Sequence, residues 1–278
     1  MQVNLTQAIS LLKRGEVVAI PTETVYGLAA DASNDAALRQ IYAIKQRPAD
    51  NPLIVHIASA NQVLDFAAEF PPLAQKLANA FWPGPFTLVL PAKESVSTIV
   101  RGSQPTVALR VPSHALTLQL LKESGLALAA PSANKFTQLS PTTAVHVTAG
   151  LGEDIPVLDG GACEVGIEST IVSVEGDNWQ LLRLGMVSET AIEAVAGMAR
   201  TPAEVHLINL PRVPGQHLLH YSPKTPAIIF GARKLLNNFV ESQKNCCALL
   251  FGEGVLPNCQ HFILPTNPDQ AAERLYDT

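Results

Sequence analysis

The chain has 278 residues, 47% of them hydrophobic and 15% charged, with a net charge of −5. That length and composition can bury one substantial core and a small second one, and they exclude a disordered chain. The acidic balance excludes a protein coated in positive charge for bulk nucleic-acid binding, though not one with a basic cleft. The opening residues MQVNLTQAISLLKRG lack a basic stretch before an apolar run, so no secretory leader is expected. Apolar runs broken by Pro, Gly or charge predict no membrane span. Cys163, Cys246, Cys247 and Cys259 form no C-x-x-C pair. Reduced thiols in a cytoplasmic protein are the expectation, and a structural zinc site is not.

In chain order, a helix from Thr6, with Thr6 as its cap, should end at Gly15. A strand follows through Ile20 and stops at Pro21, leaving Thr22, Glu23 and Thr24 at its carboxyl end, where open α/β sheets bind ligands. A helix over Asp35–Ile44 precedes the buried-type strand PLIVHI, and helices are expected at 60–68 and 72–81. FTLVLP, TVALRV, LALAAP, ESTIVSV and WQLLRL read as strands, with helices after Pro112–Ser113 and after Ser140–Pro141. EGDNW is hairpin-length, so the sheet should be mixed. This gives an α/β catalytic domain over 1–202, a Pro- and His-rich ordered linker over 203–225, and a small α/β unit over 226–278. AIIF, a helix over 232–242, CALLFG, HFILP and a final helix make up that last unit, which is small or cut short.

The chemistry-bearing residues collect at the ends of these elements. Lys45, Arg47, Arg110 and Arg183 each sit at a strand or helix end beside small polar residues, as a site for a polyanion requires. Ser132 and Asn134 emerge after LALAA, and Ser140 opens a helix whose free N–H groups suit phosphate. Gly166–Thr170 places Ser169 at a strand entrance. His56 lies in PLIVHI and faces either core or cleft. WPGPFT reads as a rigid turn that aims a strand. Neither standard Gly-rich nucleotide loop and no G-x-S-x-G elbow is present, so catalysis would rest on positioning and charge neutralisation.

PTETVYGL, KQRPADNPLIVHI, WPGPFTLVL, VALRVPSH, APSAN with SPT, DGG, and GIESTIVSV with LLRLG occur together in this order. The series resembles the YrdC-like family of threonylcarbamoyl-AMP synthases. VPGQHLLHYSPKTP is similar to the linker of the long, two-domain form. The resemblance implies a YrdC-like twisted open mixed sheet flanked by helices, followed by an ordered linker and a small Rossmann-like α/β domain. It implies an enzyme that makes L-threonylcarbamoyl-AMP and pyrophosphate from L-threonine, bicarbonate or CO2, and ATP. A separate transferase complex would then modify the adenosine beside the anticodon of ANN-decoding tRNAs, with at most weak tRNA contact by this chain. By motif matching, Thr24, His56, Arg110, the Ala130 backbone and Ser169 would surround threonine. Arg47, Asn51, Thr106, Ser132, Ser140 and Arg183 would hold ATP, with Asn134 beside them and Lys45 near the phosphates. Mg2+ would arrive with ATP, without confident protein ligands, and His220 or Tyr221 would close over the nucleotide. The chain departs from the family at Gln216–Leu219, where a linker lysine is absent.

Two other readings compete. An RNA-binding module would need aromatic stacking platforms, and only 5% of the residues are aromatic. A carbamoyl-adenylate-forming relative from hydrogenase maturation would carry acylphosphatase and zinc-finger parts that this sequence lacks.

Overall fold

The computed structural model describes residues 1–198, 211–215, 225–243, 245–256 and 259–277. The elements run β1 (Gln2–Val3), α1 (Leu5–Lys13), β2 (Val18–Ile20), β3 (Gly27–Asp31), α2 (Asp35–Lys45), β4 (Ile54–His56), α3 (Val63–Phe66), α4 (Pro72–Phe81) and β5 (Phe86–Pro91). They continue with α5 (Thr98–Arg101), β6 (Thr106–Arg110), α6 (Ala115–Ser124), β7 (Leu128–Ala129), α7 (Ala144–Leu151), β8 (Val157–Leu158), β9 (Thr170–Glu175), β10 (Asn178–Arg183) and α8 (Glu189–Ala196). The C-terminal unit holds α9 (Arg233–Ser242), β11 (Cys247–Phe251), β12 (Gln260–Leu264) and α10 (Pro268–Leu275).

Ten strands form one mixed sheet in the order β1-β8-β2-β3-β7-β4-β6-β5-β9-β10, and β11 and β12 pair in parallel beside it. Most expected elements are present, with local differences. Asn4, not Thr6, caps α1, because its side chain accepts from the Gln7 N–H while Gln7 reaches back to Asn4. The residues after Pro21 do not lead straight to a helix. They turn the chain into β3, which pairs antiparallel with β2. AIIF is not a strand, and Ile229 is 97% exposed. The linker region is described only at 211–215 and 225.

The two faces of the sheet are treated differently, because successive strand residues point to opposite sides. One face carries Leu28, Val55, Leu88, Leu109 and Ala129 into the main core under the helices. The opposite face is covered in two parts. Leu11 and Leu12 of α1 and Leu120 and Leu121 of α6 pack on Val18, Ala29, Leu128 and Ala130. Val213 packs on Ile54, Val89, Ala108 and Ile171. Between these two covers the sheet face stays open, and the site lies there. The site reaches the carboxyl ends of β4 and β6, where His56 and Arg110 stand.

Tyr26 closes the loop between β2 and β3. Its ring is fully buried, its hydroxyl donates to the Gly161 carbonyl at 2.7 Å, and it accepts from the Gly160 N–H at 3.1 Å. Tyr26→Phe keeps the ring and removes these bonds together with the 3.2 Å contact to Asp159 Oδ1, so stability should fall by about 1–2 kcal/mol. Urea unfolding should show a lower midpoint with an unchanged slope.

Candidate active site

The loop before β3 is held by threonine hydroxyls. Thr22 Oγ1 donates to the Val25 carbonyl (2.7 Å) and accepts from the N–H groups of Thr24 and Val25 (both 3.2 Å). Its single proton is thereby used, so the Thr24 hydroxyl is the donor in the 2.8 Å contact with Thr22 Oγ1. Thr24 Oγ1 keeps its lone pairs for Arg110, whose Nη1 donates to it at 3.0 Å.

Arg110 ends β6 beside His56, the last residue of β4, because the two strands run parallel in register. Its Nη2 donates to Glu23 Oε1 at 2.7 Å and its Nε to the Gly84 carbonyl at 3.2 Å. Both members of the Arg110–Glu23 pair are almost wholly buried, at 4% and 3% exposure. A guanidinium has more N–H donors than these three contacts use. Among the described residues, one N–H on each terminal nitrogen of Arg110 is left for a ligand. Burial pushes the Glu23 carboxyl up, but the Arg110 charge and hydrogen bond outweigh it, and its pKa lies below the ordinary carboxylate value. Burial and then the Arg110 charge push His56 down to about 3, so its imidazole is neutral.

The opposite wall is built on Ser169. Arg183 donates to the Ser169 carbonyl from Nε (3.0 Å) and Nη2 (2.9 Å), to Ser169 Oγ (3.0 Å), and to the Pro214 carbonyl (2.9 Å). Thr87 Oγ1 lies 2.8 Å from Ser169 Oγ. Arg47 donates to the Pro52 carbonyl at 3.0 Å, and its guanidinium lies over the Phe136 ring at 5.8 Å from the centroid.

One pocket is lined by Thr22, Thr24, Val25, Gly27, Arg47, Ile54, His56, Arg110, Ala130, Pro131, Ser132, Glu168, Ser169, Arg183 and Pro214. All five residues expected around threonine are on this wall, together with Arg47, Ser132 and Arg183 from the expected ATP set. Lys45, Asn51, Thr106, Asn134 and Ser140 do not line it.

Lys45 is 1% exposed and donates to the carbonyls of Ser132 (2.5 Å) and Asn134 (2.6 Å), fastening the loop after β7. Burial, and then the neighbouring Arg47, push its pKa well below the usual lysine value. Asn134 Nδ2 donates to the carbonyls of Lys135 and Gln138, both at 2.8 Å, within that loop. Thr106 starts β6, and at strand rise it lies roughly 13 Å along the strand from Arg110. Asn51 meets the Tyr42 hydroxyl through its carbonyl. Ser140 reaches the wall indirectly by donating to Glu168. His220 and Tyr221 lie outside the described residues.

Sequence reasoning gave Ile54, Glu168 and Pro214 no role, and named Glu23 only as part of the turn after β2. Ile54 had a signal, since it stands two residues before His56 on the same strand face. Glu23 and Glu168 each adjoin a residue already chosen, Thr24 and Ser169. Pro214 falls in the linker that was expected to close over the site, though no single linker residue before His220 was assigned to it.

These shifts make stability depend on pH. The unfolded chain takes up a proton near pH 6.5 that folded His56 refuses until about pH 3. The native state should therefore hold full stability above about pH 6.5 and lose on the order of 2 kcal/mol by pH 5. Glu23 adds a loss below its unfolded value of 4.5, continuing through its lower folded value. Urea titrations at the two pH values should show this fall, and His56→Gln should flatten the part above pH 5. An unchanged slope in that variant would refute the assignment.

Known proteins match this architecture along its length. The family model Sua5_yciO_yrdC, described as Telomere recombination, matches residues 10–185. Sua5_C, described as Threonylcarbamoyl-AMP synthase, C-terminal domain, matches residues 187–278. A Threonylcarbamoyl-AMP synthase of Bacillus subtilis is 44% identical over 241 residues, 85% of this chain and 70% of that relative. One from Pyrococcus abyssi is 42% identical over 225 residues, 80% of this chain and 66% of that relative. The chain thus spans about two thirds of their length. The crystal structure of P. abyssi Sua5 complexed with L-threonine superposes with a TM-score of 0.89 at 34% identity, covering 100% of this chain and 87% of that one. The chain belongs to the Sua5/YrdC family of threonylcarbamoyl-AMP synthases, in the long form that carries the Sua5 C-terminal domain.

Proposed function

We propose that the pocket joins L-threonine, CO2 from bicarbonate, and ATP to give L-threonylcarbamoyl-AMP and pyrophosphate. The observation that carries this reading is the immobilised Arg110 guanidinium, with an N–H on each terminal nitrogen still available on the pocket wall. A guanidinium with N–H groups to spare is a receptor for a carboxylate. The P. abyssi Sua5 structure with L-threonine supports an amino acid as the occupant.

With its carboxylate on Arg110, the amino acid would present its amine to CO2. The amine loses a proton and becomes a carbamate, whose oxygen attacks the α-phosphorus of ATP as pyrophosphate leaves. Both reactants are anions, so the protein has to lower their repulsion. Arg47 and Arg183, on the same wall, would draw charge toward the departing pyrophosphate. Neutral His56 would line the pocket without adding charge to it.

Mg2+ belongs with the nucleotide in this scheme. It would be held by ATP phosphate oxygens and water. Lys45 would act by fastening the Ser132–Asn134 loop rather than by touching phosphate. The linker would cover the site, as Pro214 begins to do, and slow hydrolysis of the labile product. The product would pass, in the cytoplasm, to a separate transferase complex acting on tRNA.

Pyrophosphate release measured with ATP, Mg2+, bicarbonate and protein should require L-threonine. Arg183→Gln should lower kcat/KM for ATP by about 100-fold. Thr24→Val should raise the KM for threonine by about tenfold and leave the KM for ATP nearly unchanged. Equal release without threonine would contradict the proposal.

A further inference from the structure

Among the described residues, Glu168 is the one acidic side chain on a wall that also carries Arg47, Arg110 and Arg183. A loose carboxylate there would repel any polyanion entering the pocket. Both of its oxygens are occupied. Ser140 Oγ donates to Oε1, and the Tyr276 hydroxyl donates to Oε2 at 3.0 Å. Tyr276 does not come from the large sheet unit. It follows α10 of the C-terminal unit.

The same helix is seated on the loop that carries Glu168. Gly166 has φ +74°, and a Cβ there would stand 2.4 Å from the Glu273 carbonyl oxygen and 2.6 Å from that of Ala272. This approach is open only to glycine. A second contact, Asp277 Oδ1 to His146 Nε2 at 3.5 Å, ties the helix end to α7, which follows Ser140. The C-terminal unit therefore touches both segments that meet at Glu168.

We propose that Tyr276 is a positioning residue for the anion subsite: with Ser140 it latches the Glu168 carboxylate in one position on the wall, both oxygens engaged by hydroxyl donors, so that it repels an entering polyphosphate less than a loose carboxylate would. The C-terminal unit thereby sets the affinity of the pocket for a polyphosphate. The inference rests on the reading that the pocket takes ATP, and inorganic pyrophosphate serves as a probe that needs no turnover.

Calorimetric titration with inorganic pyrophosphate should show Tyr276→Phe binding about fivefold or more weakly than the unsubstituted chain, the lower range for coupled sites. The KM for ATP should rise by a similar factor while kcat changes by less than about twofold. Adding Glu168→Gln to Tyr276→Phe removes the unlatched charge and should restore both values. Unchanged affinity in Tyr276→Phe would overturn the proposal. So would a loss that Glu168→Gln does not relieve, since that would mark Tyr276 as merely structural, and so would a chain that fails to bind pyrophosphate. Pyrophosphate binding with the expected pattern, but no threonine-dependent release from ATP, would support the latch and refute the proposed reaction.

Discussion

The buried pair between Arg110 and Glu23 is the interaction on which the site depends. A lone guanidinium at 4% exposure would be prohibitively costly, and Glu23 at 3% exposure offsets that cost while leaving part of the donor set free. Removing one member of such a pair typically costs about 3–5 kcal/mol, because the other is left charged and unmatched. Arg110 also anchors the threonine loop through Thr24 and the turn at Gly84 through its carbonyl. The WPGPFT segment thus has a part beyond aiming β5, since it supplies one of the acceptors that fix the arginine. Burial, and then the Arg110 charge, keep His56 neutral, so the pocket floor is polar without a second cation.

The second constraint is the unequal covering of the sheet. Helices pack along one face, while the other is closed by α1 and α6 at one side and by Val213 at the other. The uncovered strip can carry polar side chains only where they satisfy one another, which accounts for the dense network of threonine, serine and arginine contacts. Lys45 shows the same rule below the wall. Among the described residues it has no carboxylate partner and is held by two backbone carbonyls, and so maintains the loop that presents Pro131 and Ser132.

Much of this was legible in the sequence because local pattern and final environment agree. The continuous apolar runs of PLIVHI, FTLVLP and TVALRV became central strands, and Asn34 caps α2 through its side chain as its position suggests. That Thr24, His56, Arg110, Ala130 and Ser169 would share one wall was also legible, since each sits in a motif with small polar neighbours. The nucleotide side was harder. Lys45 and Arg47 are two residues apart at a helix end, and only packing decides that one faces the pocket and the other lies beneath it. Thr106 lies at the far end of its strand from Arg110 and does not line the pocket. Glu168 and Tyr276 could not be paired from sequence, because their contact joins residues 108 positions apart.

Direct calorimetry with L-threonine and its methyl ester tests the central claim, that Arg110 receives a substrate carboxylate. The two ligands share side chain and amine and differ in the group that Arg110 would hold. The account predicts saturable binding of L-threonine and binding of the ester weaker by about 30-fold or more, the loss of one charge-assisted pair. Equal affinity for the two would show that the carboxylate is not what the buried arginine recognises.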